Sequence, residues 1–434
     1  MLHLFEINTF AVLSRMTAHS AKKSSVGASV LAGANWYSGH SFRAQGCWQD
    51  SSTGRLDPTL SSQFSGKRQD KQDRTMFLPN DHMKTANDFP VGSAFQESDW
   101  HILAGFWHPV AFVHEIGEQP VSQTLLDVDL VIFRIGDAVT VARDRCPHRG
   151  ARLSAGTIEQ EYLICPMHGL HYDTDGQCTL IPSIAEPRPA IPREFCLQVY
   201  QSVQRYGLLW VCLKDAPLNP LPEWPDLEHE KRQNICLPTD EWAASAPRHV
   251  ENFNDIAHFP WVHLQSFGGD KTEAFPLYKV DKTDSGLSFE VTYTEGGNRF
   301  PDGVEKKNRE VRYLYEMTYP FSTLLHVCPL ESDFVHFFAD TVCPVSHNRS
   351  RIFQLYTDTS GKPKEKLWSD EAIIINAEDK PLVEGQTPLE LPLDLTHDFS
   401  IPADRFSIEY RRGLVGRFGL GAARQKTKRR VTGT

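Results

Sequence analysis

The sequence contains two short pairs of a cysteine and a histidine, Cys146-x-His148 and Cys165-x-x-His168, with sixteen residues between them. Each pair lies in a short segment that can form a tight turn, so its two side chains can bind one side of a metal centre. Two thiolates suit a ferric iron, and two imidazoles on a second iron leave a cluster less negative than four thiolates would. Two cysteines with two histidines also form structural zinc sites, although the typical zinc spacings differ. The pattern therefore predicts a metal centre, either an iron–sulfur cluster or zinc.

The residues around both pairs resemble the Rieske family. The match extends over CPHRGARLSAG and CPMHGLHYDTDGQC, and it includes Gly150 and Gly169, which permit close approach of the backbone. Rieske proteins of respiratory chains usually add a bridging cysteine to each loop, but Ala151 and Met167 leave no such pair here. The resemblance is therefore to the oxygenase or ferredoxin branch. It implies a [2Fe–2S] cluster with one iron on the cysteines and the other on the histidines, namely Cys146, Cys165, His148 and His168.

A second constellation lies at residues 251–263, which read ENFNDIAHFPWVH. Asp255 and His258 are three residues apart and would share a helix face. His263 follows five residues later, about 140° around an ideal helix, so the two imidazoles could not meet on a regular helix. We expect a helical segment over 250–259, and we expect Pro260 to break or kink it so that both rings converge.

This segment also resembles the mononuclear-iron motif of Rieske oxygenases, N-x-x-D-x-x-H-x-x-x-x-H, at Asn252, Asp255, His258 and His263. The resemblance implies that both histidines bind a single Fe(II), which a two-histidine, one-carboxylate set leaves open to dioxygen. The third ligand in the family is a late aspartate, for which Asp379 is our choice. Its local rivals are the neighbouring acids Glu378 and Glu384.

Asp255 has a different role in the family, where this carboxylate is not an iron ligand. The resemblance implies that Asp255 links His258 to His168 of the adjacent chain. Such a charged hydrogen bond would orient both rings and couple the two metal centres. The arrangement requires subunits in a head-to-tail ring, typically a homotrimer.

The surrounding chain predicts an α+β protein with two domains. Residues 98–215 contain short β-like runs, including a hairpin over 130–142, and form the predicted all-β Rieske domain. A proline-rich joint begins at Ala216. Residues 216–423 form the predicted catalytic domain, an antiparallel sheet flanked by helices in a helix-grip (START-like) arrangement, with a late helix over 368–382.

The two ends of the chain differ from the rest. Residues 1–97 are predicted to be an N-terminal extension that is either disordered or the product of a start assigned too early, with Met76 or Met83 as the true start. An organelle-targeting segment is the third reading, since Glu6 is the only acidic residue before Asp50. Residues 424–434 are a basic tail.

Composition limits the classes of function. The 434 residues carry a formal net charge of -10, so nothing favours nucleic acid or an anionic membrane as a partner. No apolar run is long enough to span a bilayer. The nine cysteines are spread over a long chain, which fits a reducing compartment, and we expect the cytoplasm.

The resemblance covers about 98–415. It is closest to the vanillate and dicamba demethylases and to the phenoxybenzoate and toluenesulfonate oxygenases. It implies the terminal component of an oxygenase system, which uses O2 to hydroxylate, dihydroxylate or demethylate a small aromatic substrate. The glycines from Gly416 onward match a nucleotide-binding motif only weakly, so we expect no flavin or NAD site in this chain. A separate NAD(P)H-dependent reductase or ferredoxin is therefore implied. A Rieske electron carrier without oxygenase activity is the alternative. Candidates for the pocket wall are Tyr313, Tyr315, Phe334 and Phe337, although an aromatic residue at such a position is more often part of the core.

Overall fold

The structure of the protein is a computed structural model that describes residues 89–264, 266–269, 271, 274–296 and 308–422. The predicted basic tail and residues 1–88 of the predicted extension lie outside the described residues. The last part of that extension packs on the domain that follows. Phe89 meets Trp100 edge to face, with 5.7 Å between the ring centroids.

The elements of the N-terminal half are α1 (Glu97–Leu103), β1 (His108–Phe112), β2 (Val121–Leu125), β3 (Val128–Ile135), β4 (Ala138–Arg143), β5 (Thr157–Glu159), β6 (Tyr162–Ile164), β7 (His171–Tyr172), β8 (Cys178–Leu180), β9 (Val199–Arg205) and β10 (Leu208–Cys212). Those of the C-terminal half are β11 (Ile235–Cys236), β12 (Asp240–Trp242), α2 (Ala246–Phe253), α3 (Phe259–Val262), β13 (Val280–Lys282), β14 (Gly286–Glu295), β15 (Arg309–Thr318), β16 (Ser322–Pro329), β17 (His336–Ser346), β18 (Arg349–Asp358), α4 (Glu365–Glu384) and α5 (Arg405–Phe418).

The N-terminal half is built from two antiparallel sheets, as predicted. Six strands pair in the order β1-β10-β9-β4-β3-β2, and four short strands pair in the order β5-β6-β7-β8. The predicted hairpin is confirmed as β3 and β4, with Gly136 at φ +59° in its turn. The β structure predicted for residues 98–215 does not extend to the first of them, because Trp100 lies in α1. Its buried indole N–H donates to the Leu126 carbonyl over 2.7 Å, which ties α1 to the sheet.

The small four-stranded sheet positions the two cysteine–histidine loops. The first loop lies between β4 and β5, and the second joins β6 to β7. A separate apolar cluster packs beneath both loops and includes Val131, Phe133, Leu153 and Leu163. The loops are thereby held on a common base although they are far apart in sequence.

The C-terminal half is an antiparallel sheet flanked by helices, as predicted. Its strands pair in the order β11-β18-β17-β16-β15-β14-β13, and β12 also pairs with β18. Burial alternates along β15, which indicates one core face and one outer face. The helix predicted over 368–382 is confirmed as α4, and Trp368 on α4 stacks on Tyr356 of β18 at 4.1 Å. Another helix, α5, packs Phe406 against Phe289 of β14.

The helix expected over 250–259 was wrong in its extent. Helix α2 ends at Phe253, and α3 begins only at Phe259. Asn254 is buried, and its side-chain amide donates both to the Val250 carbonyl and to Thr323 of β16. The backbone N–H of Asn254 also donates to the Val250 carbonyl, over 3.2 Å. Asn254 therefore closes the last turn of α2, and its side chain joins that turn to β16.

The two halves are joined by backbone hydrogen bonds as well as by side-chain packing. The N–H groups of Leu126 and Asp127 donate to the carbonyls of Pro344 and Val345 over 2.8 and 2.9 Å. Among the described residues, no helix is long and apolar enough to cross a membrane.

Candidate metal centres

The two cysteine–histidine loops have the same backbone geometry. Gly150 donates its N–H to the Cys146 carbonyl over 2.8 Å, and Gly169 donates to the Cys165 carbonyl over 3.0 Å. Both glycines have positive φ, +73° and +67°, a region that side chains disfavour. Each loop therefore turns tightly after its cysteine and brings the histidine of the pair back beside it.

The side chains of the two loops form a centre with a buried half and an exposed half. Cys146 and Cys165 are 1 % and 2 % exposed, whereas His148 and His168 are exposed, with 4.6 Å between their ring centroids. Burial raises the pKa of the Cys146 thiol, and the neighbouring Cys165 raises it further. Two adjacent buried thiols beneath two imidazoles fit a [2Fe–2S] cluster with mixed ligands.

Tyr172 also belongs to this centre, although its place there was not predicted from the sequence. It follows His168 by four residues on β7, and its hydroxyl lies 3.2 Å from Cys146 Sγ. Burial raises the pKa of Tyr172 far above its usual range, so the phenol stays protonated and donates to the sulfur. Hydrogen bonds to cluster sulfurs are one of the ways in which a protein sets a reduction potential.

Replacing Tyr172 by phenylalanine is expected to lower the reduction potential of the cluster by about 50 mV, since one hydrogen bond of about 1 kcal/mol favours the more negative reduced state. An EPR-monitored redox titration measures the shift. Tyr162→Phe on the adjacent strand β6 is the matched control and should leave the potential unchanged. Equal potentials in the parent and Tyr172→Phe would refute a tuning role.

The second centre lies where α2, α3 and α4 meet. His258 caps the N-terminus of α3 and His263 follows its last residue, so their Nε2 atoms approach to 3.2 Å. Convergence of the rings was expected from a break at Pro260, but the helix is already interrupted before His258. Pro260 lies in the first turn of α3, where its missing N–H costs nothing.

Asp379 completes this group from α4. Its Oδ1 atom lies 3.5 Å from His258 Nε2 and 3.4 Å from His263 Nε2. Asp379 shares the buried face of α4 with Asn376 and Val383. The rival Glu384 instead accepts the N–H of Ala243, at 2.8 Å.

The three side chains fit a metal ion. Ligand atoms about 2.1 Å from one metal and at right angles to each other are about 3 Å apart, close to the distances found here. Asp379 is 7 % exposed, and its Oδ1 atom has no hydrogen-bond partner among the described residues. Burial raises the pKa of Asp379, a cost that a bound cation would offset. Two imidazoles and one carboxylate are the donor set of non-haem Fe(II) oxygenases.

Two carboxylates set the tautomers of the histidines. His258 Nδ1 lies 3.0 Å from Asp255 Oδ2, and His263 Nδ1 lies 2.8 Å from Glu378 Oε2. Each Nδ1–H therefore donates, and each Nε2 keeps its lone pair toward Asp379. Glu378, which the sequence offered as a rival ligand, lies behind His263, where Ser266 also donates to it.

Replacing Glu378 by alanine is expected to weaken iron binding by about 10- to 100-fold, because an oriented ligand ring loses its hydrogen-bond acceptor. Iron retention against a chelator series measures the change. Asp370→Ala, an exposed acid on the same helix, is the control and should retain iron normally. Equal retention by both variants would contradict the assigned role of Glu378.

A cavity of about 150 Å³ opens beside these three side chains, all of which line it. Its aromatic walls come from the sheet and the helices and include Tyr313, Tyr315, Phe338 and Trp368. Of the four candidates, Tyr313 and Tyr315 line the cavity, whereas Phe334 and Phe337 do not. Phe337 points to the opposite face of β17, because side chains alternate along a strand, and Arg232 covers it there.

Comparisons with known proteins identify both halves. Residues 106–203 match the Rieske [2Fe-2S] domain, and residues 242–416 match the vanillate O-demethylase oxygenase C-terminal domain. Methylxanthine N1-demethylase NdmA of Pseudomonas putida is 30 % identical over 322 residues, which cover 72 % of this chain and 88 % of that protein. The oxygenase component of dicamba O-demethylase from Stenotrophomonas maltophilia is 36 % identical over 172 residues, covering 39 % and 49 % of the two chains.

A solved structure agrees with these sequence matches. The structure of Pseudomonas putida NdmA with caffeine superposes with a TM-score of 0.65 at 29 % identity, covering 73 % of this chain and 91 % of that one. The relatives are oxygenase components of systems that need a reductase and use a [2Fe–2S] cluster and a mononuclear iron. The chain belongs to the Rieske non-haem iron oxygenases, as the terminal oxygenase component that acts on a small molecule with O2.

Proposed function

We propose that this oxygenase removes a methyl group from an N-methyl or O-methyl substituent of a flat aromatic ring. The observation that carries the proposal is the aromatic-walled cavity, which is open to His258, His263 and Asp379 together. Rings bury large areas against aromatic walls and prefer stacked or edge-on contacts, which this cavity offers on several sides. The relatives NdmA and dicamba O-demethylase are demethylases by name.

We assign the ligands by the geometry described above. Cys146 and Cys165 would hold one iron of the cluster, and His148 and His168 the other. His258, His263 and Asp379 would hold Fe(II), which supplies the activation of O2 when it is bound. The protein's own part is to orient the two imidazoles through carboxylates, to keep the Asp379 carboxylate buried, and to enclose the ring among apolar walls.

The domain limits also belong to this proposal. We place the Rieske domain at 98–215 and the catalytic domain at 216–423, and the two family matches fall within these limits.

We also propose a cytoplasmic location, which is supported by the eight cysteines of the described chain, all of which are free of disulfides.

We further propose a head-to-tail homotrimer, in which His168 of one chain reaches Asp255 of the next. Asp255 is 35 % exposed at its side chain although it binds His258, so one edge remains accessible. Large apolar side chains are exposed beside both partners, Met167 at 57 % next to His168 and Trp261 at 62 % next to His258. Exposed apolar groups around charged ones are typical of protein interfaces.

Two measurements test the function. Anaerobic purification should give about three irons and two sulfides per chain, since the cluster holds two irons and the facial triad one. The enzyme with a reductase, NADH and O2 should then release formaldehyde from N-methylxanthines or methoxybenzoates. The reaction consumes O2, two electrons and two protons, and it yields the demethylated ring, formaldehyde and water. About two irons and no formaldehyde would favour the electron carrier instead.

A further inference from the structure

Three polar side chains form a ladder from the sheet to the cavity. Asp340 of β17 and Gln354 of β18 are cross-strand neighbours, and Gln354 Nε2 lies 2.9 Å from Asp340 Oδ2. Asn376 of α4 continues the ladder, with its Nδ2 atom 2.9 Å from Gln354 Oε1. Gln354 and Asn376 line the cavity, whereas Asp340 lies behind them, 2 % exposed.

The direction of the ladder is set by His249. Its Nε2 atom lies 3.1 and 3.0 Å from the two oxygens of Asp340, and its buried Nδ1 has no partner among the described residues. If Asp340 donated a proton to Nε2, the histidine would carry its own proton on Nδ1 as a buried, unpaired N–H. If Nε2–H donates to Asp340 instead, only the lone pair of Nδ1 is without a partner, which costs less than a buried N–H without one. Nε2–H therefore donates, and Asp340 accepts.

This direction determines which atom faces the ligand. The two ends of an amide can be distinguished only through their hydrogen-bond partners. Because Asp340 accepts, Gln354 must present its NH2 to Asp340 and its carbonyl to Asn376. Asn376 then gives its NH2 to Gln354, which leaves its Oδ1 atom as an acceptor that no other described residue binds.

The position of this acceptor relates it to the reacting centre. Asn376 precedes Asp379 by three residues on the same face of α4, a rise of about 4.5 Å along the helix. At another part of the cavity wall, Glu295 is bound by Arg309 at 2.8 Å and by the Tyr313 hydroxyl. Those polar groups satisfy one another, whereas Asn376 Oδ1 has no such partner among the described residues.

We propose that Asn376 Oδ1 is a fixed hydrogen-bond acceptor that selects ring substrates carrying an N–H or O–H about one helical turn from the group that reacts. Asp340 is the positioning residue that maintains this polarity through Gln354. The proposal rests on the proposed function only for the position of the group that reacts. The hydrogen bond between Asn376 Oδ1 and a ligand requires only that the ligand enters the cavity.

The test compares ligands that differ only in the donor. Theobromine carries a ring N–H where caffeine carries N–CH3, and vanillate carries an O–H where 3,4-dimethoxybenzoate carries a second O–CH3, so every ligand keeps at least one methyl group that can react. Isothermal titration of the anaerobic holoenzyme is expected to show about tenfold tighter binding of the donor member, as one satisfied hydrogen bond predicts. The ratio of the two affinities within each pair is the readout.

Variants locate the effect. Asn376→Leu is expected to abolish the preference. Asp340→Asn, which touches neither ligand nor iron ligand, is expected to reduce it, because an asparagine can donate to Gln354 and so release both amides to flip. Ile375→Val, beside Asn376 in the cavity wall, is the matched control and should change both affinities in a pair by the same factor. The visible spectrum verifies that each variant retains its cluster.

The outcomes are separable from the proposed function. The role of Asn376 would be overturned by any of three results: equal affinities within both pairs, no binding of any of the four ligands, or a preference that survives Asn376→Leu. If the preference is lost in Asn376→Leu but unchanged in Asp340→Asn, Asp340 does not fix the orientation of the two amides. Iron content and formaldehyde release decide the oxygenase function by themselves.

Discussion

Replacing His258 by alanine is expected to lower the iron content from about three to about two atoms per chain and to leave the visible colour unchanged. In the proposed assignment the imidazole supplies one of three ligand atoms at the second centre, and a site with two remaining ligands would hold iron poorly. The cluster ligands lie on separate loops and are not touched. Formaldehyde release should fall to background, because O2 is no longer activated beside the cavity.

The measurement is iron by mass spectrometry, acid-labile sulfide and a visible spectrum on the same sample. Asp379→Ala should give the same result, which separates it from its neighbour Glu378, whose loss weakens iron binding but leaves all three ligands. His397→Ala, an exposed histidine paired with Asp398, is the matched control. Full iron content in His258→Ala or in Asp379→Ala would show that the ligand is assigned wrongly.

The second large effect is expected from Asp255→Asn, which should keep both metals but slow electron transfer from cluster to iron by about 100-fold. Asparagine can still accept the hydrogen bond of His258 Nδ1, which lies 3.0 Å from Asp255 Oδ2, so the iron ligand stays oriented. The charge that would bind His168 of the next chain is lost, and with it the charge-assisted link between the centres.

Stopped-flow spectroscopy resolves this step. The fully reduced enzyme is mixed with O2 and substrate, and reoxidation of the cluster is followed in the visible range. Glu378→Gln is the control, since it neutralises the carboxylate on the other iron histidine, which faces the interior. Unchanged reoxidation in Asp255→Asn, with a full complement of iron, would exclude the bridging role.

Both predicted effects rest on residues that could be identified from the sequence, because their geometry is local. In each cluster loop the cysteine and histidine are at most three residues apart, so a tight turn with a glycine at positive φ brings them together in any surrounding fold. Asp255 and His258 are likewise three residues apart and form a hydrogen bond. The alternation along β14 and β15 predicted an antiparallel sheet for the same reason, since each residue's side is set by its neighbours.

The remaining choices depended on contacts between distant segments. Only the rotation of α4 against α3 distinguishes Asp379, which faces the histidines, from Glu378 beside it in sequence, which stands behind His263. Asn254, just after the end of α2, donates its amide to Thr323 on a strand far along the chain, a contact that the local sequence does not show.

The sequence by itself determined the family, the residue types at the two candidate metal centres and the alternation of the sheet. The tertiary structure decided which acid faces His258 and His263, that the Tyr172 hydroxyl reaches Cys146 Sγ, and which way the ladder from Asp340 to Asn376 points. The physical reason is that spacing within a turn is fixed by backbone geometry, whereas helix rotation and strand register result from packing of the whole domain.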